Sequence, residues 1–460
     1  MTVMVPGRGT VAPGRAAPPQ VRRSVPGRIR VISGITVASL ALLFAALAVG
    51  SATARDGLQV IGHDAGPQVV ATAGLYLALS DMDAQVANAL VMGDMYTRQR
   101  NEAIARYESR RSEANQALLK AFELSGDNPA ERRTVQSVLD ELGKYERLAG
   151  QALLLDQRAK HAPGPPPEEV VAIYRQATDL MRKVLLPQAY NLTLETGTIV
   201  RRTYDEKAVM VPLLRVAVVV AGLLALCCLI WLQVFLAKRF RRVFGPALLV
   251  ATVTTAVALI AGAGALARDQ EALRHAKSAG FDPVLTLTRA RAISNSMQGD
   301  QSRYLLDKER ADTYEHTYLD KSQSVIYVAA GNLDDYHFKV VQGTDGFLGL
   351  LGPELVGRPG EDVMKAYQGF QSADEKFRDL VASGQIIEAV NARFGAVTAT
   401  FDTYDRTLVA LIGQHHDEFE RAITMGESTL DNLWRLEEVA MGAIVLLVIA
   451  GVWPRLKEYR

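Results

Sequence analysis

The 460-residue chain carries 51 Lys and Arg against 50 Asp and Glu, a formal net charge of +1, so it has no basic excess with which to hold nucleic acid. Hydrophobic residues make up 49% of it but aromatics only 7%, and the Ala, Val and Leu that dominate suit helices better than sheets. Its 2 cysteines, Cys227 and Cys228, are adjacent inside an apolar run, which excludes a disulfide framework and reads as small apolar filler rather than a metal or redox centre.

Residues 1–28 hold Pro6, Pro13, Pro18, Pro19 and Pro26 with Arg8, Arg15, Arg22, Arg23 and Arg28, and no acidic residue. This composition is expected of a disordered cytoplasmic tail. Residues 31–54 follow, uncharged and flanked by Arg30 and Arg55. Ala52-Thr53-Ala54 resembles a signal-peptidase site, but signal cores run only about 7–15 residues, so a retained first transmembrane helix is expected.

Residues 55–207 form a first extracytoplasmic segment. Gly66-Pro67 is expected to open a helix, since Pro suits a first turn. Leu75, Leu79, Met82, Val86, Ala89 and Leu90 recur at helical spacing, and Gly93-Asp94 marks a turn. Ile104, Tyr107, Ala114, Leu118 and Phe122 predict a second helix, which Ser125-Gly126-Asp127-Asn128-Pro129 ends. Val135, Val138, Leu142, Tyr145, Leu148 and Ala152 make a third stripe. After the break Pro163-Gly164-Pro165-Pro166-Pro167, a fourth helix runs from about Glu168 towards the membrane, with a kink expected at Pro187.

Residues 208–237 and 243–267 predict the second and third transmembrane helices. Val216–Ala237 and Val243–Ala267 contain no charge, and each is long enough to cross about 30 Å of hydrocarbon. Between them lies the basic loop 238–242, Lys238-Arg239-Phe240-Arg241-Arg242. The positive-inside rule keeps this loop in the cytoplasm. Residues 268–437 form the second extracytoplasmic segment. Asp282-Pro283 is expected to begin a helix there. Leu285, Leu287, Ile293, Met297, Tyr304 and Leu305 give a looser apolar pattern, and Gly343–Gly360, rich in Gly and Pro, is expected to be a flexible connection. Ile386–Glu437 reads as one long helical region leading into the fourth transmembrane helix, residues 438–454. Residues 455–460 are expected to be a cytoplasmic tail.

The halves look duplicated. Asn88, Glu102, Tyr107 and Glu108 match Asn295, Glu309, Tyr314 and Glu315 at one offset, and Ala54-Arg55-Asp56 matches Ala267-Arg268-Asp269 after a small shift. The repeated order of span, helical segment, span is the stronger sign. The expected fold class is all-α: an integral membrane protein with four transmembrane helices and two extracytoplasmic four-helix-bundle domains, arising by internal duplication. The stripes admit either packing of the two bundles on each other or a homodimer.

No catalytic constellation stands out: there is no Gly-rich phosphate loop with its Lys, no nucleophile elbow and no Cys/His metal spacing. No enzyme, cofactor or metal is expected. His415-His416-Asp417-Glu418 is read as a solvated helix face, because adjacent helical residues point about 100° apart. Asn191-Leu192-Thr193 fits a glycosylation sequon, a pattern common by chance. The spans hold few polar groups, Gln233 and the threonines 252, 254 and 255 among them, which suit helix packing better than a transport path.

Span, outer bundle and span is similar to the sensor half of bacterial chemoreceptors and sensor kinases. With the duplicated architecture, the Pro/Arg-rich tail and the terminal Trp453-Pro454-Arg455-Leu456-Lys457-Glu458-Tyr459-Arg460, the chain resembles the GlnX-type membrane proteins of actinobacteria. The resemblance implies a non-enzymatic transmembrane relay of amino-acid availability. Its implied partners are an amino-acid-binding lipoprotein outside and a cytoplasmic Ser/Thr protein kinase of the G type inside. The alternatives are an autonomous small-molecule sensor and a structural envelope scaffold. The expected location is the bacterial cell membrane, multi-pass, with both termini cytoplasmic. Lys238, Arg239, Arg241, Arg242, Arg455, Lys457 and Arg460 are the expected cytoplasmic contact, and membrane lipid headgroups compete for the same charges.

Overall fold

The computed structural model describes residues 25–125, 129–240, 245–343 and 348–457. Among these, the secondary structure is helical, with one isolated antiparallel bridge between Tyr327 and Leu348. The first half of the chain holds α1 (Val25–Gln59), α2 (Gly66–Met92), α3 (Thr97–Leu124), α4 (Pro129–Ala159), α5 (Glu168–Leu180) and α6 (Leu186–Phe240). The second holds α7 (Pro246–His275), α8 (Asp282–Leu306), α9 (Ala311–Val325), α10 (Leu333–Gln342), α11 (Gly357–Ala382), α12 (Ile386–Ala392) and α13 (Thr398–Lys457). Four helical stretches, Gly27–Met92, Glu168–Lys238, Pro246–Leu306 and Ile386–Pro454, are long and apolar enough to cross a membrane. The protein is an all-α membrane protein.

Two compact units divide the chain. The smaller comprises residues 1–48, 216–262 and 435–460. There, glycine lets helices approach closely: Gly262 faces Leu47, Gly222 faces Leu259 and Gly451 faces Leu248, with no room for a Cβ. Gln233 Nε2 donates to the Leu248 carbonyl at 2.8 Å and to Thr252 Oγ1 at 2.6 Å, so it joins α6 to α7. Thr254 and Thr255 bond to carbonyls of their own helix.

The larger unit comprises residues 49–215 and 263–434. The two segments share one hydrophobic core, which runs from Leu75 in α2 through Tyr145 and Tyr174 to Tyr318, Phe370 and Tyr404. α2 packs on α3 and on α8, and α9 covers α8. This is why α8 shows only a loose apolar pattern. A helix enclosed on several sides has no solvent face to set a period.

Four long helical runs are each interrupted by a π-turn, at Val60–Ala65, Met181–Leu185, Ala276–Phe281 and Arg393–Val397. Proline explains three of them. Pro67, Pro187 and Pro283 each stand two residues beyond a π-turn. A helical proline cannot bond the carbonyl four residues back and its ring crowds that carbonyl; widening the preceding turn relieves the clash. Neither Gly66-Pro67 nor Asp282-Pro283 therefore begins a helix, as expected from sequence; both continue one. The helix also passes through Pro187, with the distortion lying just ahead of it. The carbonyl of Ala279, which Pro283 cannot bond, lies 2.7 Å from His415 Nδ1.

Replacing His415 by Ala should lower the stability of the detergent-purified full chain by about 1 kcal/mol, the worth of one hydrogen bond. Adding Pro283→Ala should recover part of that loss, because the new amide can reach Ala279. Thermal unfolding of both variants and the double variant measures the coupling. Strict additivity would show that the proline and the histidine are unrelated.

Candidate functional site

α2 and α8 meet along a buried polar seam. Asp81, Asp83, Gln85 and Asn88 of α2 are buried, as are Asp300, Gln301, Ser302 and Arg303 of α8. Four consecutive helical residues point about 100° apart, so the α8 tetrad reaches several neighbours at once. Arg303 donates from Nη2 to Asp83 Oδ2 at 2.7 Å, from Nη1 to Asp300 Oδ1 at 2.5 Å and from Nε to Tyr174 Oη at 3.2 Å. Asp83 also accepts from Thr178 Oγ1 at 2.7 Å and Tyr145 Oη at 3.2 Å. Ser302 Oγ donates to Asn88 Oδ1 at 2.6 Å. Arg393 Nη2, from the fourth π-turn, lies 3.3 Å from the same oxygen and donates to the Gln298 carbonyl at 2.8 Å.

The seam continues into the second half. Lys321 of α9 donates to Asp300 Oδ2 at 2.5 Å and to Ser296 Oγ at 2.6 Å. Gln301 Nε2 donates to Asp374 Oδ1 at 2.7 Å, and Asp374 Oδ2 accepts from Arg378 Nε at 2.8 Å with His337 Nε2 at 3.1 Å. Nearer the surface, Arg175 forks onto Asp307 at 2.8 and 2.6 Å and reaches Glu309 at 2.7 Å.

Burial acts against every charge here, and the partners decide the outcome. Burial pushes the Asp300 carboxyl up, but Lys321 and Arg303 outweigh it and hold the group below its ordinary value. For Lys321 burial wins and pulls the ammonium down to about 8 despite Asp300. Burial likewise raises Asp374, but Arg378 and His337 outweigh it and leave the carboxyl at about 2.

Two cavities flank the seam and share Tyr76 and Tyr190 in their walls. The larger, about 450 Å³, is lined by Ala73, Ala292, Ile293 and Leu350, with Arg289 in its wall. The smaller, about 380 Å³, is lined by Arg182, Ser296, Thr317 and Lys321. Gly349 and Leu350, from the stretch Gly343–Gly360 expected to be a flexible connection, supply part of the larger wall. Leu350 and Leu351 donate to the carbonyls of Ser324 and Val325 at 3.0 Å. Gly349 has φ +92°, and a Cβ there would press on the Tyr327 amide and the Val325 carbonyl. Gly357 already begins α11.

Of the expected cytoplasmic contact, Lys238 is exposed near the end of α6. Arg239 belongs to the same helix, and Arg455 and Lys457 to the end of α13. Arg241, Arg242 and Arg460 lie outside the described residues. His415 is not on a solvated face, since it serves the Ala279 carbonyl, and His416 lines a separate cavity of about 210 Å³. The paired positions of the two halves differ in their bonds: Asn88 sits in the seam, whereas Asn295 bonds the Arg291 carbonyl of its own helix at 3.0 Å. Among the described residues, no group of three or more His, Cys, Asp or Glu is placed to hold a metal ion.

Sequence reasoning missed the seam. Its only signal was the row of polar residues between apolar ones, Asp81 to Asn88 and Asp300 to Arg303, which a surface face explains equally well.

The buried charges, the shared core and the four apolar helices describe an all-α membrane protein with a compact helical unit, residues 49–215 and 263–434. Residues 57–205 match the family described as the actinobacterial sensor domain, bounds that nearly coincide with the first outer segment. No curated protein and no solved structure matches the chain. The match points to a sensing or signalling role rather than a catalytic one.

Truncating Arg303 to Ala should destabilise the full chain by about 3–5 kcal/mol, because it strands Asp83 and Asp300 without their shared cation. Neutralising all three as Asp83→Asn, Asp300→Asn and Arg303→Met should recover much of that loss, read as the thermal midpoint in detergent. Asp374 predicts an acid response. Its folded value of about 2 lies below the ~3.9 of an unfolded Asp. The group therefore adds stability that is complete above about pH 4 and lost as pH falls towards 2, on the order of 2 kcal/mol. Asp374→Asn should lower the midpoint at neutral pH and flatten its fall in acid.

Proposed function

We propose that this protein relays a signal across a bacterial cell membrane without catalysis. The outer unit, residues 49–215 and 263–434, receives the signal, and the loop 238–242 and both termini face the cytoplasm. The observation that carries this reading is helix continuity. α6, Leu186–Phe240, and α13, Thr398–Lys457, each include a predicted span and a stretch of the outer unit. A shift or rotation at one end of such a helix is carried to the other. The π-turns supply points where register can change by a residue at low cost. The sensor-domain match over residues 57–205 supports the outer segment as the receiving end.

In its finer form the signal is amino-acid availability. An amino-acid-binding lipoprotein docks on the outer unit, and a cytoplasmic Ser/Thr kinase reads the inner face through Lys238, Arg239, Arg241, Arg242, Arg455, Lys457 and Arg460. A ligand moves such an equilibrium only as far as it prefers one arrangement over the other, so the loaded lipoprotein must bind one helix arrangement better than the empty one does. The two outer segments derive from one duplicated unit, and the seam between α2 and α8 is the joint where their arrangement is set.

The test uses the full chain in nanodiscs with the amino-acid-binding lipoprotein and the kinase from the same cell. Kinase retention should rise when the lipoprotein is supplied with its amino acid and should fall when the inner basic residues are replaced by Gln. Retention unaffected by the loaded lipoprotein would sink the amino-acid relay. A chain that holds neither partner under any condition would favour a scaffold.

A further inference from the structure

Several arginines of residues 49–215 and 263–434 are held by carboxylates: Arg100 by Asp156, Arg175 by Asp307, Arg291 by Asp405 and Arg303 by Asp83. Arg289 and Arg182 differ. Arg289 stacks on Tyr190, 4.8 Å from the ring centroid, and donates to its hydroxyl. Arg182 donates to Thr317 Oγ1 at 3.0 Å and lies over the Tyr314 ring at 5.5 Å. Among the described residues neither has a carboxylate within ion-pair distance. Both are half-buried, and each lines one of the two cavities that share Tyr76 and Tyr190. Those two rings stand edge to face at 6.5 Å. Lys321 adds a third cation on the side of Arg182.

We propose that the cavity of about 450 Å³ binds a small organic carboxylate with an apolar body and no ammonium group, its carboxylate held by Arg289 beside the Tyr76–Tyr190 pair. The volume lies within the range of about 300–1,000 Å³ usual for ligand sites, where apolar walls carry a few polar groups that fix orientation. Ala73, Ala292, Ile293 and Leu350 supply the apolar walls. A guanidinium without a carboxylate of its own is suited to a planar carboxylate, which it can engage through two parallel hydrogen bonds. The lack of an ammonium group follows from the lining. Among the described residues no Asp or Glu lines either cavity, and the nearby Asp300 is already taken by Arg303 and Lys321. A zwitterion would bury its positive end beside Arg289.

The site also joins the two halves of the outer unit. Tyr76 and Ala73 come from α2 and Tyr190 from α6, while Arg289 and Ala292 come from α8 and Leu350 from the segment that follows α10. Arg182 stands within the second π-turn. An occupant would therefore stabilise one arrangement of α2, α6 and α8 over others. This inference does not rest on the lipoprotein relay, which can fail while the cavity still binds.

The experiment uses the full chain in nanodiscs, with empty nanodiscs as the control for partition into lipid. Linear, branched and aromatic monocarboxylates of two to ten carbons, among them hexanoate, 4-methylpentanoate and phenylacetate, are titrated to millimolar concentration by calorimetry. Their primary amides and the corresponding α-amino acids are titrated beside them. The expected result is saturable binding of at least one carboxylate, with its amide and its amino acid weaker by roughly tenfold or more. Arg289→Gln should weaken that carboxylate by roughly tenfold, while Arg98→Gln, an exposed control on α3, should leave it unchanged. The thermal midpoints of the variants without ligand establish that they are folded. No carboxylate binding, equal binding of amides or amino acids, or binding untouched by Arg289→Gln would each overturn the proposal.

Discussion

The ion pair between Arg303 of α8 and Asp83 of α2, with Asp300 on the other side of the guanidinium, governs how the outer unit is assembled. All three groups are enclosed, and an enclosed charge is tolerated only with its partners in place. The pair joins residues 220 positions apart. Tyr145 and Thr178 then have a fixed carboxylate to donate to, and Lys321 has Asp300. Apolar contacts alone would let α2 and α8 slide or rotate at little cost. A directional set of hydrogen bonds admits few arrangements, so the seam acts on specificity more than on total stability.

That constraint bears on how a signal would pass. The outer unit is not two independent bundles on separate stalks. Its halves share a core and a polar joint, so an event on one half is felt by the other through α2 and α8. The long helices that leave the unit are rigid rods interrupted at π-turns, and three of those turns follow from a proline placed two residues on.

Much was legible without coordinates. Uncharged runs of spanning length, helical stripes and proline-rich breaks led directly to an all-α membrane chain with four candidate spans. The stripe from Leu75 to Leu90 is buried as its period implied, and so is most of the stripe from Val135 to Ala152. What was misread was local. Gly66-Pro67 and Asp282-Pro283 look like helix starts, because proline in a first turn and proline after a π-turn leave the same mark in the sequence. Gly343–Gly360 looks like a loose connection, yet Gly349 is there for a backbone that packs against the end of α9.

Hydrophobic length and period therefore determined the elements and their membrane character, since these depend only on how apolar residues are spaced along one chain. Tertiary structure alone decided which polar residues were inside. Asp83 and Arg303 on the one hand, and Glu102 and Arg106 on the other, are equally charged letters in helical segments. The difference is that α8 packs against α2, and nothing in the local pattern says which helix will cover which. The same holds for the cavity beside the Tyr76–Tyr190 pair: its walls come from α2, α6, α8 and the segment after α10, and it exists only once those parts have met.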